Sequence, residues 1–385
     1  MTPHENLMAV LRGGDPEWMP ACVHIANANN LPGFLPKALL AEPLDRLRIA
    51  EFVGGDILHE VHGVRIRLPA GVGIRNTHDG DTCKSVLTTP IGSLTQRLLS
   101  AHIASPSYDD LPEGYAVPGP IVNSVRTTHF VADPGDYRIL RSYFEAQTFH
   151  ADCERIADEK HRVGTKGVLV LGGGPSSPLY SLASSYAGIE RLSYDLFDAP
   201  DEVISAMDAM TAAGCRWYEA AAASPCDVIR CTEDLDTKLI SPEMFRHYAV
   251  PALRQYARIC HGQGKLFVIH MCGHIRDFLP DLRAVGADAI HCLTTPPTGN
   301  TALGEARDVL AGHVAAMIRV DPELLLRGDE ECLSGRCEAG DPPDCDDDPL
   351  SPTATSTWSG AGWCSPTCPT GRPTTRSWRG STSTR

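Results

Sequence analysis

No stretch of this sequence approaches the roughly 18 consecutive apolar residues that a bilayer-spanning helix requires. Met1 to Glu17 has neither a basic start nor an apolar signal-like run. The expectation is a cytoplasmic protein with no membrane partner. Basic residues are also in deficit: 34 Lys and Arg stand against 48 Asp and Glu, a formal charge of -14. That balance disfavours a protein that tracks nucleic-acid phosphates, so the expected partner is a small molecule or another protein. The lack of an export signal also decides how the 14 cysteines read. Scattered through a large chain in a reducing compartment, they are expected to be mostly buried thiols, with a minority free to bind metal.

A more local deficit divides the chain. From Ser334 to Arg385 the one aliphatic residue larger than alanine is Leu350, and Ile, Val, Met, Phe and Tyr are missing altogether. Such a segment cannot bury enough apolar surface to offset its ordering entropy, so residues 334–385 are expected to form a low-complexity, disordered tail. Their mix of Ser, Thr, Pro, Gly, Arg, Asp, Cys and Trp is also what a GC-rich gene yields when read out of frame. The tail would then replace the last strand and helix of the preceding domain.

Residues 1–328 are different, and the 42% apolar content of the chain can fill a sizeable core. Short runs rich in Val, Ile or Leu alternate with segments of helical period, the pattern of βα units and a parallel sheet. The clearest strands are Lys166–Leu171, Asp227–Cys231, Lys265–His270, Ala287–Leu293 and His313–Ile318. Proline in the first turn marks helix starts at Asp133-Pro134, Asp198-Ala199-Pro200 and Ser241-Pro242, the first helix being expected to run to about Arg162. Val61–Arg67 and Ser85–Leu98 read as extra strands of a hairpin-like insertion.

The segment richest in chemistry is Val268-Ile269-His270-Met271-Cys272-Gly273-His274, where a strand gives way to a helix. That is the catalytic rim of a barrel. An imidazole and a thiol two residues apart can face one side, both are common zinc ligands, and Gly273 allows a sharp turn behind them. A catalytic zinc generally takes three protein ligands and an open position. The candidates for the third are Glu233, just past a strand, and Cys292, with Glu233 preferred because Cys292 lies inside an apolar run. The bland alternative for the pair is a buried thiol beside a hydrogen-bonded histidine. His274 is a candidate supporting donor, and one or two of His59, Glu60 and His62 can reach the cleft. Gly172-Gly173-Gly174-Pro175 reads as a tight barrel turn more than as a ligand cradle, while Thr294–Asn300 either lines the cleft or serves as a rigid connector.

Several short blocks in order then carry a resemblance: Ser241-Pro242-Glu243-Met244-Phe245-Arg246, Pro251, His270-Met271-Cys272-Gly273, Leu279-Pro280-Asp281-Leu282 and Gly286-Ala287-Asp288-Ala289-Ile290. They resemble the C-terminal half of the uroporphyrinogen decarboxylase superfamily. Val53-Gly54-Gly55-Asp56-Ile57-Leu58 is similar to the stretch that holds the decarboxylases' catalytic aspartate, which implies a catalytic role for Asp56. The resemblance spans roughly residues 5–328 and implies a TIM-type (β/α)8 barrel, here lacking or disordered at its last βα unit, and is compatible with a homodimer.

Two chemistries occur in that superfamily. The decarboxylases carry an arginine-rich N-terminal segment for the substrate's carboxylates, whereas Cys22–Asn30 here holds no Arg or Lys. Burying eight carboxylates without cations is too costly. The His-x-Cys pair is instead similar to the zinc motif of the corrinoid-dependent methyltransferases. This implies zinc held by His270, Cys272 and Glu233, with Glu233 as ligand or acid. It further implies a small-molecule methyl donor or acceptor (methoxy, methylamine or thiol) and cobalamin supplied by a partner corrinoid protein. A true porphyrinogen decarboxylase and an inactive, unclosed barrel are the alternatives.

Overall fold

A computed structural model of the chain describes residues 1–22, 35–40, 45–103, 113, 115–116, 121–319 and 360–361. The expected tail, save Gly360 and Ala361, and the arginine-free segment beyond Cys22 lie outside the described residues. Six parallel strands form one curled sheet: β1 (Ile57–Val61), β2 (Gly167–Gly174), β3 (Val228–Thr232), β4 (Leu266–His270), β5 (Ala289–Thr294) and β6 (Ala315–Arg319), adjacent in that order. Each of the five strands read from the sequence is present, with ends shifted by no more than three residues. A bridge from Cys22 to Asp56 extends the sheet beyond β1, and Gly360–Ala361 pairs parallel with β6. The strand order of this half-barrel is that of a TIM-type barrel, with helices such as Pro200–Ala222 and Val250–Gly262 on its outer face.

Strand alternation divides the apolar side chains into two cores. The inner one contains Val168, Val170, Val228, Leu266, Val268, Ala289 and Ala315; the outer, larger one packs Leu169, Ile229, Phe267, Ile269 and Ile290 beneath the helices. Each buried Val, Leu, Ile or Phe among them contributes about 1.5–3 kcal/mol. The floor of the inner core is closed by the N-terminal helix Pro3–Leu11, whose Leu7, Met8 and Leu11 enter it. Thr2 and Glu5 form a capping box at its start, and His4 Nδ1 lies 2.9 Å from the Gly167 carbonyl at the bottom of β2. Polar chemistry is thereby confined to the other end.

The insertion after β1 is larger than a hairpin. Gly73–Asp79, Thr82–Thr89, Gly92–Ile103 and Ile121–Thr128 make a four-stranded antiparallel sheet. The helix expected from Pro134 to Arg162 is two helices, Asp136–Glu145 and Cys153–Val163. Between them Thr148–Ala151 pairs antiparallel with Val64–Arg67. Its β-branched and aromatic members suit that pairing better than a helix.

Candidate functional site

β4 ends at His270, and the chain turns back sharply through Met271, Cys272 and Gly273. Gly273 has φ +82°, and a Cβ there would stand 2.7 Å from Asp236 Oδ2, so the turn requires glycine on both counts. The neighbouring loop after β3 is tied to this turn. Glu233 N donates to the His270 carbonyl at 2.8 Å, and Thr237 donates to the His274 carbonyl through N at 3.0 Å and Oγ1 at 2.9 Å. Asp236 Oδ2 accepts from His274 N at 3.0 Å.

This clamp brings three donors together. One ligand atom each of Asp234, His270 and Cys272 lies within 4.8 Å of the other two. Asp234 Oδ1 stands 3.4 Å from His270 Nε2 and accepts from Cys272 N at 3.4 Å. The His270 side chain is 17% exposed and that of Asp234 33%, so the cluster faces the mouth without being open to bulk water. On its other edge His270 Nδ1 lies 2.6 Å from Nδ1 of the buried His291.

Glu233, expected as the third ligand, is placed elsewhere. It is fully buried, and its carboxylate accepts from Ser177 N at 2.7 Å and from Ser177 Oγ, on the helix side of the sheet. Burial pushes its carboxyl up to about 7 against those two hydrogen bonds. The parity of β3 explains the exchange. Val228 and Arg230 face the barrel interior, which sends Asp234 inward and Glu233 outward.

Cys292, the other expected candidate, touches the cluster without joining it. Its φ is +75°, and the pairing of β5 with β6 slips between His291 and Leu293. A non-glycine there costs about 1–2 kcal/mol, a strain found mostly at functional sites. Its thiol is within hydrogen-bonding reach of Cys272 and of the Arg319 guanidinium. The hydrogen bond from Cys272 draws Cys292 down to about 7, helped by Arg319 and opposed by burial, while the same contact raises Cys272.

Asp56 is not at the mouth. It precedes β1, four residues below Glu60, and Glu60 aligns through Val170 and Val228 with Leu266, four residues before His270. At about 3.3 Å per residue that is on the order of 25 Å along the strands. Asp56 instead accepts from Ala21 N at 2.8 Å and Trp18 Nε1 at 3.2 Å. Of the three residues after it, His59 faces outward and lies 3.0 Å from Glu159, His62 is exposed, and Glu60 points into the barrel. There it meets Arg230 Nη2 at 2.6 Å, beside a cavity of about 20 Å³ that His291 also lines. That volume holds about one water molecule. The glycine run after Leu171 makes room for these groups: a Cβ at Gly172 would fall 1.8 Å from Glu60 Oε1, and one at Gly173 2.9 Å from His62 Nδ1. Thr294–Asn300 packs as a connector against the turn at Gly273, since a Cβ at Gly299 would meet the Gly273 carbonyl at 2.9 Å.

Sequence reasoning passed over Asp234, Arg230, His291 and Tyr180. Burial, then the charges of Asp234 and Glu233, push the Tyr180 phenol up to about 12, which locates it beside the cluster. Inward parity on β3 could have found the first two; nothing local marks Tyr180.

The family model for uroporphyrinogen decarboxylase (URO-D) matches residues 120–339, more than half of the chain. The chain belongs to the URO-D family. Among solved structures, this URO-D family member is similar to a methyltransferase from Methanosarcina mazei at 14% identity and a TM-score of 0.52. The alignment covers 87% of this chain and 88% of that one, a likeness of fold. No curated protein sequence matches the chain. Among the described residues no helix of this URO-D member is long and apolar enough to cross a membrane.

Proposed function

We propose that this chain is a zinc-dependent methyltransferase of the URO-D family, passing a methyl group between a small substrate (methoxy, methylamine or thiol) and a corrinoid protein that brings cobalamin. The observation that carries this reading is the convergence of Asp234, His270 and Cys272 at the C-terminal rim. An oxygen, a nitrogen and a sulfur, half-buried and mutually close, fit a three-ligand zinc site with one open position. When bound, zinc would supply Lewis acidity, lowering a thiol's pKa or polarising a leaving oxygen.

The chain's own residues would do the rest. With Nε2 turned to Asp234 and taking the metal, His270 would carry its proton on Nδ1 and donate it to His291, which would hold the ring and its tautomer. Glu233 anchors Ser177 and so fixes the floor of the loop that carries Asp234. Tyr180, close enough to feel the charge of Asp234, keeps its proton across the neutral range and would be the nearby acid for a leaving atom. The carboxylates of Asp234 and Asp236 at the mouth would repel a substrate of many carboxylates, which favours methyl transfer over porphyrinogen decarboxylation. The likeness of fold to the Methanosarcina methyltransferase is in keeping with this reading; the corrinoid partner is proposed on the resemblance of the His-x-Cys motif alone.

Metal analysis of the purified protein is the test. About one equivalent of zinc is expected, falling below roughly a tenth in Asp234→Ala and in His270→Ala but kept in Glu233→Gln. A folded wild type with less than about a tenth of an equivalent would overturn the assignment. Loss of zinc in Glu233→Gln with retention in Asp234→Ala would return the third position to Glu233.

A further inference from the structure

The proposed metal site has a second sulfur beside it that the methyl-transfer reading leaves idle. Cys292 follows His291, which pairs in register with His270, and Cys272 follows His270 by two. The two cysteines therefore sit on neighbouring chains just beyond a matched pair. They are staggered by one residue, and strands about 4.8 Å apart with a rise of about 3.3 Å per residue put such a diagonal pair on the order of 6 Å apart, inside the roughly 4.4–6.8 Å Cα separation that a disulfide accepts. The slipped register and the left-handed backbone at Cys292 take its side chain off the strand's alternation and set its thiol against that of Cys272. Both cysteines are half-buried at the mouth, whereas Cys226, Cys231 and Cys260 are sealed in the core away from any oxidant. The exposed Arg319, at the end of β6, lies within hydrogen-bonding reach of the Cys292 sulfur.

We propose that Cys272 and Cys292 are a redox modification site: a hydroperoxide joins them in a reversible disulfide that removes the sulfur ligand from the metal centre. The consequence for metal rests on the zinc reading above; the disulfide itself does not. In the zinc-loaded protein Cys292 reacts first, because there the sulfur of Cys272 would be engaged by the metal; without metal either sulfur can begin the same sequence. The Cys292 thiolate attacks a peroxide oxygen, the O–O bond breaks, and the products are a sulfenic acid and, after protonation, water. The Cys272 thiol then attacks that sulfur; an S–S bond forms, the S–O bond breaks, and its oxygen leaves as a second water. Two thiols and one hydrogen peroxide thus become one disulfide and two waters, with two electrons passing from sulfur to oxygen. A dithiol reverses the step.

The experiment treats the zinc-loaded full chain with a few equivalents of hydrogen peroxide. Released zinc is followed with a chromogenic chelator, and unreduced peptides are mapped by mass spectrometry. The expected result is a Cys272–Cys292 linked peptide that grows in step with zinc release, both reversed by dithiothreitol and fresh zinc. In Cys292→Ser, release is expected to slow by more than about tenfold, since the ligand sulfur has lost its partner. Zinc lost from the wild type without a linked peptide, or release equally fast in Cys292→Ser, would overturn the proposal. If the protein holds no zinc, the metal reading falls, and the peptide map of that metal-free protein alone decides the disulfide.

Discussion

Glu233 offers a prediction whose size follows from its surroundings. It is fully buried, with its carboxyl raised from about 4.5 to about 7. A group that binds its proton more tightly when folded stabilises the fold most below its unfolded pKa, and that contribution is lost as pH rises through the folded value. Integrating between pH 5 and pH 8 gives a loss of about 2–3 kcal/mol from this one carboxyl. Glu233→Gln keeps the volume and one acceptor for Ser177 N but cannot ionise. Relative to wild type, the variant should therefore gain about 2–3 kcal/mol on going from pH 5 to pH 8, whatever its absolute stability. Urea denaturation of chelator-treated wild type and variant at the two pH values, monitored by far-UV circular dichroism, measures this double difference. A difference between the proteins that stays constant within about half a kcal/mol across that range would refute the burial argument. Glu233 would then have to be solvated or paired with a cation.

Three further outcomes follow from the geometry. Asp56→Ala removes the acceptor of Ala21 N and Trp18 Nε1 at the bottom of the sheet, so it should cost about 1–3 kcal/mol in denaturation while zinc content stays at the wild-type level. Zinc loss in a folded Asp56→Ala would place that carboxylate at the mouth after all. Gly172→Ala drives a methyl group into Glu60 and should break its contact with Arg230, lowering stability by about 3 kcal/mol or more; an unchanged melting temperature would mean that the strand end yields freely. Gly273→Ala meets both a left-handed backbone and the Asp236 carboxylate. It should cost about 1–2 kcal/mol and weaken zinc retention against a competing chelator, and identical retention curves would show that the turn does not position Cys272.

The barrel strands were legible because each is a short Val, Ile or Leu run closed by a glycine or polar turn, and because an inner and an outer core demand apolar residues on both faces. His270 and Cys272 were legible for a related reason: a ligand-type pair at the end of such a run must stand at the rim. Local pattern carried less where tertiary contacts decide. Thr148–Ala151 became a strand because Val64–Arg67 offered an unpaired edge, a fact no window of helical periodicity contains. The choice between Glu233 and Asp234 turns on one step of strand parity past the end of β3, and Arg230 two strand steps earlier was the available reference. Asp56 was assigned a role through likeness of sequence, yet a residue that precedes a parallel strand starts at the wrong end of it to meet His270. Tyr180 reaches the site from a short helix whose direction is set by Ser177 and Glu233, so only the folded chain reveals it.

The helix Pro3–Leu11, wedged into the bottom of the inner core, plugs that end among the described residues. Any small reactant that the cluster takes would therefore have to come and go at the rim, the side on which a partner protein would also dock. On the proposed function the two would share one approach, and the small guest would have to be seated before the large one arrives.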